Sequence, residues 1–180
     1  DCFAWSPDGS QYLVSVQSGK LICLDADTLQ PRVSLDGHSD SILAVAWSPN
    51  GKQIATAAKD QTVKIWQSSS GQLQHTFAMT LRHSPDVTLN AVWSPDGQWL
   101  TIVDSHGGPS RAGLIATWDV RSGRRVSSHE GRTVAWNRES SRLAMASGGV
   151  LTIYEARTWK PLSSLGGHLA EIYAVAWQPN

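Results

Sequence analysis

One recurring phrase constrains this chain more than any other feature. FAWSPDG occupies residues 3–9, LAVAWSPNG follows at 43–51 and AVWSPDG at 91–97. VAWNRES stands at 134–140 and VAWQPN at 175–180. The tryptophans of the phrase, Trp5, Trp47, Trp93, Trp136 and Trp177, are separated by 42, 46, 43 and 41 residues. A period near forty made of strand-like pieces belongs to stacked sheets, because each unit is a sheet that cannot bury its faces alone. No sustained 3.6-residue apolar spacing accompanies it, which removes short helical repeats. The recurrence also explains nine Trp against two Phe: each copy is expected to present the same indole to the space between neighbouring sheets.

Within each period four pieces appear in order. The first ends at the Trp, as in ILAVAW at 42–47. A Ser-Pro-Asp/Asn-Gly turn follows, where Pro presets φ and Gly accepts the positive φ of the reversal. The second piece reads QYLVSV at 11–16, QIATAA at 53–58, QWLTIV at 98–103 and RLAMAS at 142–147. The third reads KLICL, TVKIW, LIATW and LTIY, ending at Leu24, Trp66, Trp118 and Tyr154. A polar turn then leads to a fourth piece such as RVSL or LQHTF. Short β-branched and aromatic runs between turn residues predict antiparallel meanders. From the phrase Trp to the end of the third piece is 19 residues in the first two copies and 18 in the fourth, but 25 in the third. The extra length falls in DSHGGPSRAG at 104–113, the first loop to search for function.

Bulk properties exclude several classes. Fifteen basic and fifteen acidic side chains give zero formal charge, without the broad basic footprint of nucleic-acid or anionic-membrane binding. No apolar run reaches the roughly 20 residues of a membrane-spanning helix, and the opening residues carry no basic-then-apolar signal. Cys2 and Cys23 have no metal-ligand spacing and read as two thiols rather than a disulfide. These features lean toward a cytoplasmic location.

At this point the chain resembles the WD40 repeat family of β-propellers over nearly all of its length. Gly37-His38 precedes a first strand, SPNG makes the hairpin, Lys59-Asp60 sits in the next turn and TVKIW closes at Trp66. Gly167-His168 repeats the opening pair, and Trp118-Asp119 supplies the closing pair literally. The resemblance implies an all-β, WD40-type propeller segment of four-stranded antiparallel blades, cut from a larger ring of about seven blades. The blades would occupy 1–36, 42–78, 87–128 and 132–165, with 171–180 as the first strand of a fifth. It also implies a buried hydrogen-bonded tetrad of His38, Thr56, Asp60 and Trp66. Only the second blade has all four. The first puts Val14, Ser18 and Leu24 at the Thr, Asp and Trp places, and the fourth puts Met145, Gly149 and Tyr154 there. The third keeps Trp118 but has Ile102 at the Thr place, and His83 is off register by one.

Candidate chemistry is sparse. His38, Asp60 and a nearby Thr56 or Ser39 are the residue types of a nucleophile constellation, but their spacing to Trp66 fits the structural tetrad. Asp104, His106 and Arg111 in the long loop are too few for a closed metal site, and Gly107-Gly108 is followed by no phosphate-loop Lys. Arg121, Arg124 and Arg125, with Arg157 and Lys160 at the equivalent turn, make a modest basic edge. Trp99 sits beside core positions, whereas Trp159, in ARTWKPL, reads as an exposed turn residue suited to a partner. No catalytic residue, metal or cofactor is expected. The expected function is a non-catalytic scaffold binding proteins or peptides. The family resemblance places the contact on the face bearing the loop before strand one and the loop between strands two and three. On this chain that face carries Asp40, Ser41, Lys59, His106, Arg111, Glu171 and Tyr173. Alternatives are an enzyme or metal site built on 104–113, and an assembly element that pairs with further blades of a parent chain or with its own copies through open edges.

Overall fold

The computed structural model describes residues 2–16, 19–80, 87–106 and 113–178, with backbone only at Val87 and His106. Every helix or strand among them is a strand. They form two compact units, 1–81 and 82–180, each holding two four-stranded antiparallel sheets whose strands lie side by side in chain order.

In the first unit the first sheet is β1 (Phe3–Trp5), β2 (Gln11–Val16), β3 (Lys20–Asp25) and β4 (Pro31–Asp36). The second is β5 (Ile42–Trp47), β6 (Gln53–Ala58), β7 (Thr62–Gln67) and β8 (Leu73–Ala78). The turn phrase folds by satisfying its own polar groups. Ser6 Oγ donates to Asp8 Oδ1 at 2.6 Å and accepts from Gln11 N at 3.0 Å. Ser48 repeats this, donating to Asn50 at 2.8 Å and accepting from Gln53 N at 2.9 Å. Leu13, Leu21, Cys23 and Leu35 of the first sheet pack on Ile42, Ile54, Ala58 and Trp66 of the second, with Val33, Val45 and Trp47 at the margin. Burying such apolar surface supplies about 25 cal/mol per Å². Trp47 Nε1 also donates across the sheets to the Ala4 carbonyl at 3.3 Å. Cys2 and Cys23 are separate thiols.

In the second unit β9 (Val87–Trp93), β10 (Trp99–His106), β11 (Leu114–Asp119) and β12 (Arg125–Glu130) form one sheet. β13 (Thr133–Trp136), β14 (Arg142–Ser147), β15 (Val150–Glu155) and β16 (Pro161–Leu165) form the other. Val103 and Ile115 meet Trp136, Leu143, Met145 and Ala156, with Val92, Trp99, Val134, Tyr154 and Trp159 packed around them. All four sheets share one irregularity: the register between third and fourth strands shifts at Cys23/Leu24, Ile65/Trp66, Thr117/Trp118 and Ile153/Tyr154. A bulge re-aims the residue that follows it, and here it is always the next-to-last residue of the third strand.

The structure departs from the sequence expectations at several points. The long loop does not begin at 104: β10 continues to His106, pairing Asp104 with both Leu89 and Leu114, and Asp104 is buried. Residues 107–112, Arg111 among them, lie outside the described residues, as do Ser18 and His83. The third blade's last strand runs to Glu130 rather than 128. Residues 171–178 form no strand, since no second strand lies beside them among the described residues. Trp177 nevertheless donates to the Ala135 carbonyl at 2.8 Å, the contact Trp47 makes to Ala4 one period earlier in its own unit. Gly149 does not take the Asp place, because the Ser147–Val150 hairpin is one residue shorter than those of the first two blades. Trp159 is a packing residue: it stands edge-on to Trp99 at 5.7 Å and to Trp136 at 6.0 Å, holding the third and fourth sheets together.

Candidate functional site

The second sheet brings His38, Thr56, Asp60 and Trp66 into one chain of hydrogen bonds. His38 precedes β5, Thr56 lies mid-β6, Asp60 occupies the β6–β7 turn and Trp66 sits at the β7 bulge. His38 Nδ1 is 2.8 Å from Asp60 Oδ2 and Nε2 is 2.7 Å from Thr56 Oγ1. Trp66 Nε1 donates to the same hydroxyl at 2.9 Å. One protonation pattern satisfies every group. Neutral His38 donates from Nδ1 to the carboxylate and accepts at Nε2 from Thr56, whose oxygen then accepts from the indole. Burial pushes the imidazole below its ordinary pKa, against the opposing pull of Asp60. Burial would raise the Asp60 carboxyl, but hydrogen bonds from Thr62, His38 and the Ser39 N–H together hold it below the ordinary value. Gly37 belongs to the same assembly, since a Cβ there would meet the Trp66 ring at 3.1 Å.

Thr–His–Asp in this order has the connectivity of a nucleophile, a base and its orienting acid. Thr56 is fully buried and its oxygen already accepts from Trp66, so no carbonyl can approach it. The arrangement works as a clamp. It ties the loop before β5 to the β6–β7 turn, helped by Ser39 N donating to Asp60 at 3.1 Å and Thr62 Oγ1 donating to Asp60 at 2.7 Å. The sequence offers Ser39 only as a nucleophile type, not as a backbone donor to Asp60, and does not single out Thr62. Thr62 had a signal, because an Asp two residues before a Thr is a turn-forming spacing.

The clamped loops carry three of the seven candidate contact residues. Asp40, Ser41 and Lys59 are exposed at one end of the second sheet, and Lys59 N donates to the Ser41 carbonyl at 2.9 Å. Asp40 Oδ1 accepts from Ser41 N at 2.6 Å. Within the second unit Glu171 is engaged, its Oε2 lying 3.0 Å from Arg132 Nε, while Tyr173 is 72% exposed. The His106 side chain and Arg111 lie outside the described residues. Among the described residues no group of three His, Cys, Asp or Glu could hold a metal ion, and no helix is long and apolar enough to cross a membrane.

Comparison with known proteins bears on this geometry. The family description "WD domain, G-beta repeat" matches residues 29–67, the segment containing the whole tetrad. The C-terminal WD40 domain of Sif2 superposes with a TM-score of 0.72 over 96% of this chain and 48% of that one, at 22% identity. The chain carries a WD40 repeat at residues 29–67. Its fold is a WD40-type β-propeller segment, and its four sheets are blades. Among curated relatives, Protein HIR1 of Cryptococcus neoformans is 33% identical over 109 residues, 59% of this chain and 12% of that protein. THO complex subunit 3 of Arabidopsis thaliana is 26% identical over 153 residues, 82% of this chain and 45% of that protein. The chain therefore spans less than half the length of either. Relative to a full set of WD40 side chains, the second blade is the one that shows the complete hydrogen-bonded clamp among the described residues. The third instead pairs Thr101 Oγ1 with Thr117 Oγ1 at 3.0 Å in its core.

Proposed function

We propose that this WD40 segment is a non-catalytic scaffold whose clamped loops at the end of the second blade dock a protein or peptide partner. One observation carries the reading: the tetrad fixes the loop before β5 against the β6–β7 turn, so that Asp40, Ser41 and Lys59 stand exposed in a set arrangement. Pre-set polar groups bind without first being ordered, which lowers the entropic cost of association. The acid and base side by side favour partners of complementary charge pattern and suppress others. Its relatives' names, a THO complex subunit among them, agree with work inside assemblies.

The reading is tested by selecting peptides from a displayed library against the 180-residue chain. Asp40→Ala with Lys59→Ala is expected to weaken the selected peptides at least about tenfold, a size ordinary for charge-assisted contacts. Arg124→Ala, on another exposed turn, serves as the control and leaves binding unchanged. Equal loss in both variants, or none in either, overturns the assignment. Asp60→Ala, assayed on a panel of ester and peptide substrates, addresses the hydrolase alternative: lowered stability with no turnover to lose supports the clamp.

A further inference from the structure

The blade repeat supplies an internal control for a gap in the first unit. In the second unit, the turns that follow the phrase tryptophans of the third and fourth blades are joined: Asp96 N donates to Ser140 Oγ at 2.9 Å, and Ser140 is buried. Counted from the phrase tryptophans, the matching positions in the first and second blades are Asp8 and Gly51. Gly51 has no side chain with which to close the gap. A cleft of about 380 Å³ remains there, walled by Pro7, Asp8, Trp47, Pro49 and Asn50.

This cleft has directed chemistry. Hydrogen bonds from Ser6 Oγ, Ser10 N and Ser10 Oγ all converge on Asp8 Oδ1. Oδ2 has neither hydrogen bond nor ion pair among the described residues. No Lys or Arg lines the cleft. The Ser6 and Ser10 bonds also bring the carboxyl pKa to about 2, so it stays ionised at neutral pH. Two proline rings and the Trp47 indole, itself fixed by its bond to Ala4, offer apolar surface beside that charge. An anion would meet Asp8, and a neutral ligand would leave it unused. A long aliphatic stem ending in a cation suits both parts, the stem against the rings and the head on the carboxylate.

We propose that the Pro7–Asp8–Trp47–Pro49 cleft is a docking pocket for a lysine or arginine side chain presented by a peptide or protein. It goes beyond the loop contact described above. The pocket lies at the end of the sheets that bears the β1–β2 and β5–β6 turns, opposite the end that bears Asp40 and Lys59, and the two stand or fall separately.

The test is amide and indole N–H chemical-shift titration of the isotope-labelled 180-residue chain. Three probes are acetyl-Gly-Lys-Gly-amide, its arginine analogue and its norleucine analogue, which keeps the stem without the charge. Saturable shifts at the Trp47 indole and the Gly51 amide are expected with lysine, arginine or both, and the two arms say which head is preferred. Norleucine is expected to bind at least about tenfold more weakly, as is lysine to Asp8→Asn, because a charge-assisted contact is lost in each. Asp8→Asn keeps an Oδ1 acceptor for Ser6 and Ser10, so the turn persists. Gly51→Ser rebuilds the closure seen at Ser140, which holds a similar positive φ of 54° against 70° at Gly51. A Cβ there meets nothing nearer than Pro7 at 3.9 Å, so no collision adds to the strain of the positive φ. This variant is expected to abolish binding, with thermal unfolding lowered only by the modest strain of a side chain at positive φ. Equal shifts from norleucine, undiminished binding to Asp8→Asn, or no saturable shift at millimolar probe overturns the proposal.

Discussion

His38 stands at the point where electrostatics and folding meet in the second blade. Burial holds its imidazole neutral although a carboxylate lies 2.8 Å away, and the neutral form is the one whose three neighbours are all satisfied. A pH dependence follows with a definite sign. The folded-state pKa lies below the unfolded value of about 6.5, so the contribution of His38 is complete above that pH. As pH falls below it, the unfolded chain takes up a proton that the folded chain refuses, and stability declines. His129, also lowered by burial, acts in the same direction. Asp60 adds its own loss only in the lower carboxylate range, where its depressed pKa lies. Urea midpoints are therefore expected to fall as pH drops from about 7.5 to about 5. His38→Gln flattens that slope at the cost of a lower midpoint throughout, whereas His129→Gln removes only its own share. An unaltered slope in His38→Gln would mean that the imidazole is not held neutral. The four tetrad residues were legible in the sequence because Gly-His, the Thr of the second strand, the turn Asp and the closing Trp have fixed spacings. Ser39 was not, since its contribution is a backbone N–H that any residue would supply.

At the scale of the element, turns hold the blades in register and glycine decides which of them can. Gly9 and Gly19 both have positive φ, 72° and 74°. A Cβ at Gly9 meets nothing within 4 Å, whereas one at Gly19 lies 2.6 Å from the His38 carbonyl oxygen and 2.7 Å from that of Asp40. The loop of the second blade thus rests on the hairpin of the first through a space only glycine leaves open. Gly9→Ala is expected to cost about 1–2 kcal/mol from backbone conformation alone. Gly19→Ala adds a collision with backbone that cannot rotate away, about 1–3 kcal/mol more. Urea denaturation of the pair separates the two terms, and equal losses would mean that the 37–41 loop is not seated on the first blade. The strands themselves were readable from alternation and turn residues, and all four blades follow the order the repeat implied. Asp104 was misjudged because DSH carries no apolar alternation, and its strand character comes from pairing with Leu89 and Leu114 on either side. Trp159 was misjudged for a related reason: its neighbours in sequence are polar turn residues, but its ring meets Trp99 and Trp136, distant in the chain.

For the whole molecule, the repeat turns exposure into a comparison between equivalent residues. Leu35, opposite Leu21 in the first blade, is 1% exposed, while Leu165, opposite Leu151 in the fourth, is 57% exposed. Trp136 of the fourth blade is 8% exposed, and Trp5, its counterpart in the first, is 54% exposed. The same kinds of side chain that make a core in one blade thus stand in solvent in another, as do Phe3 and Leu162. Apolar surface of this kind marks a place where something else packs. Leu165→Asp decides whether other copies do so in solution. On an uncovered face the change is a surface substitution, expected to stay within about 0.5 kcal/mol. On a face covered by a second copy it buries an unpaired charge and costs far more. Light-scattering mass of the 180-residue chain across a concentration series is expected to rise above the 19.5 kDa of one copy, and Leu165→Asp is expected to return it to that value while leaving the clamp of the second blade intact. A mass that stays at one copy throughout, with Leu165→Asp neutral in stability, would assign these faces to further blades of a parent chain, for a soluble segment that neither pairs nor suffers from the charge has nothing of its own to lay upon them.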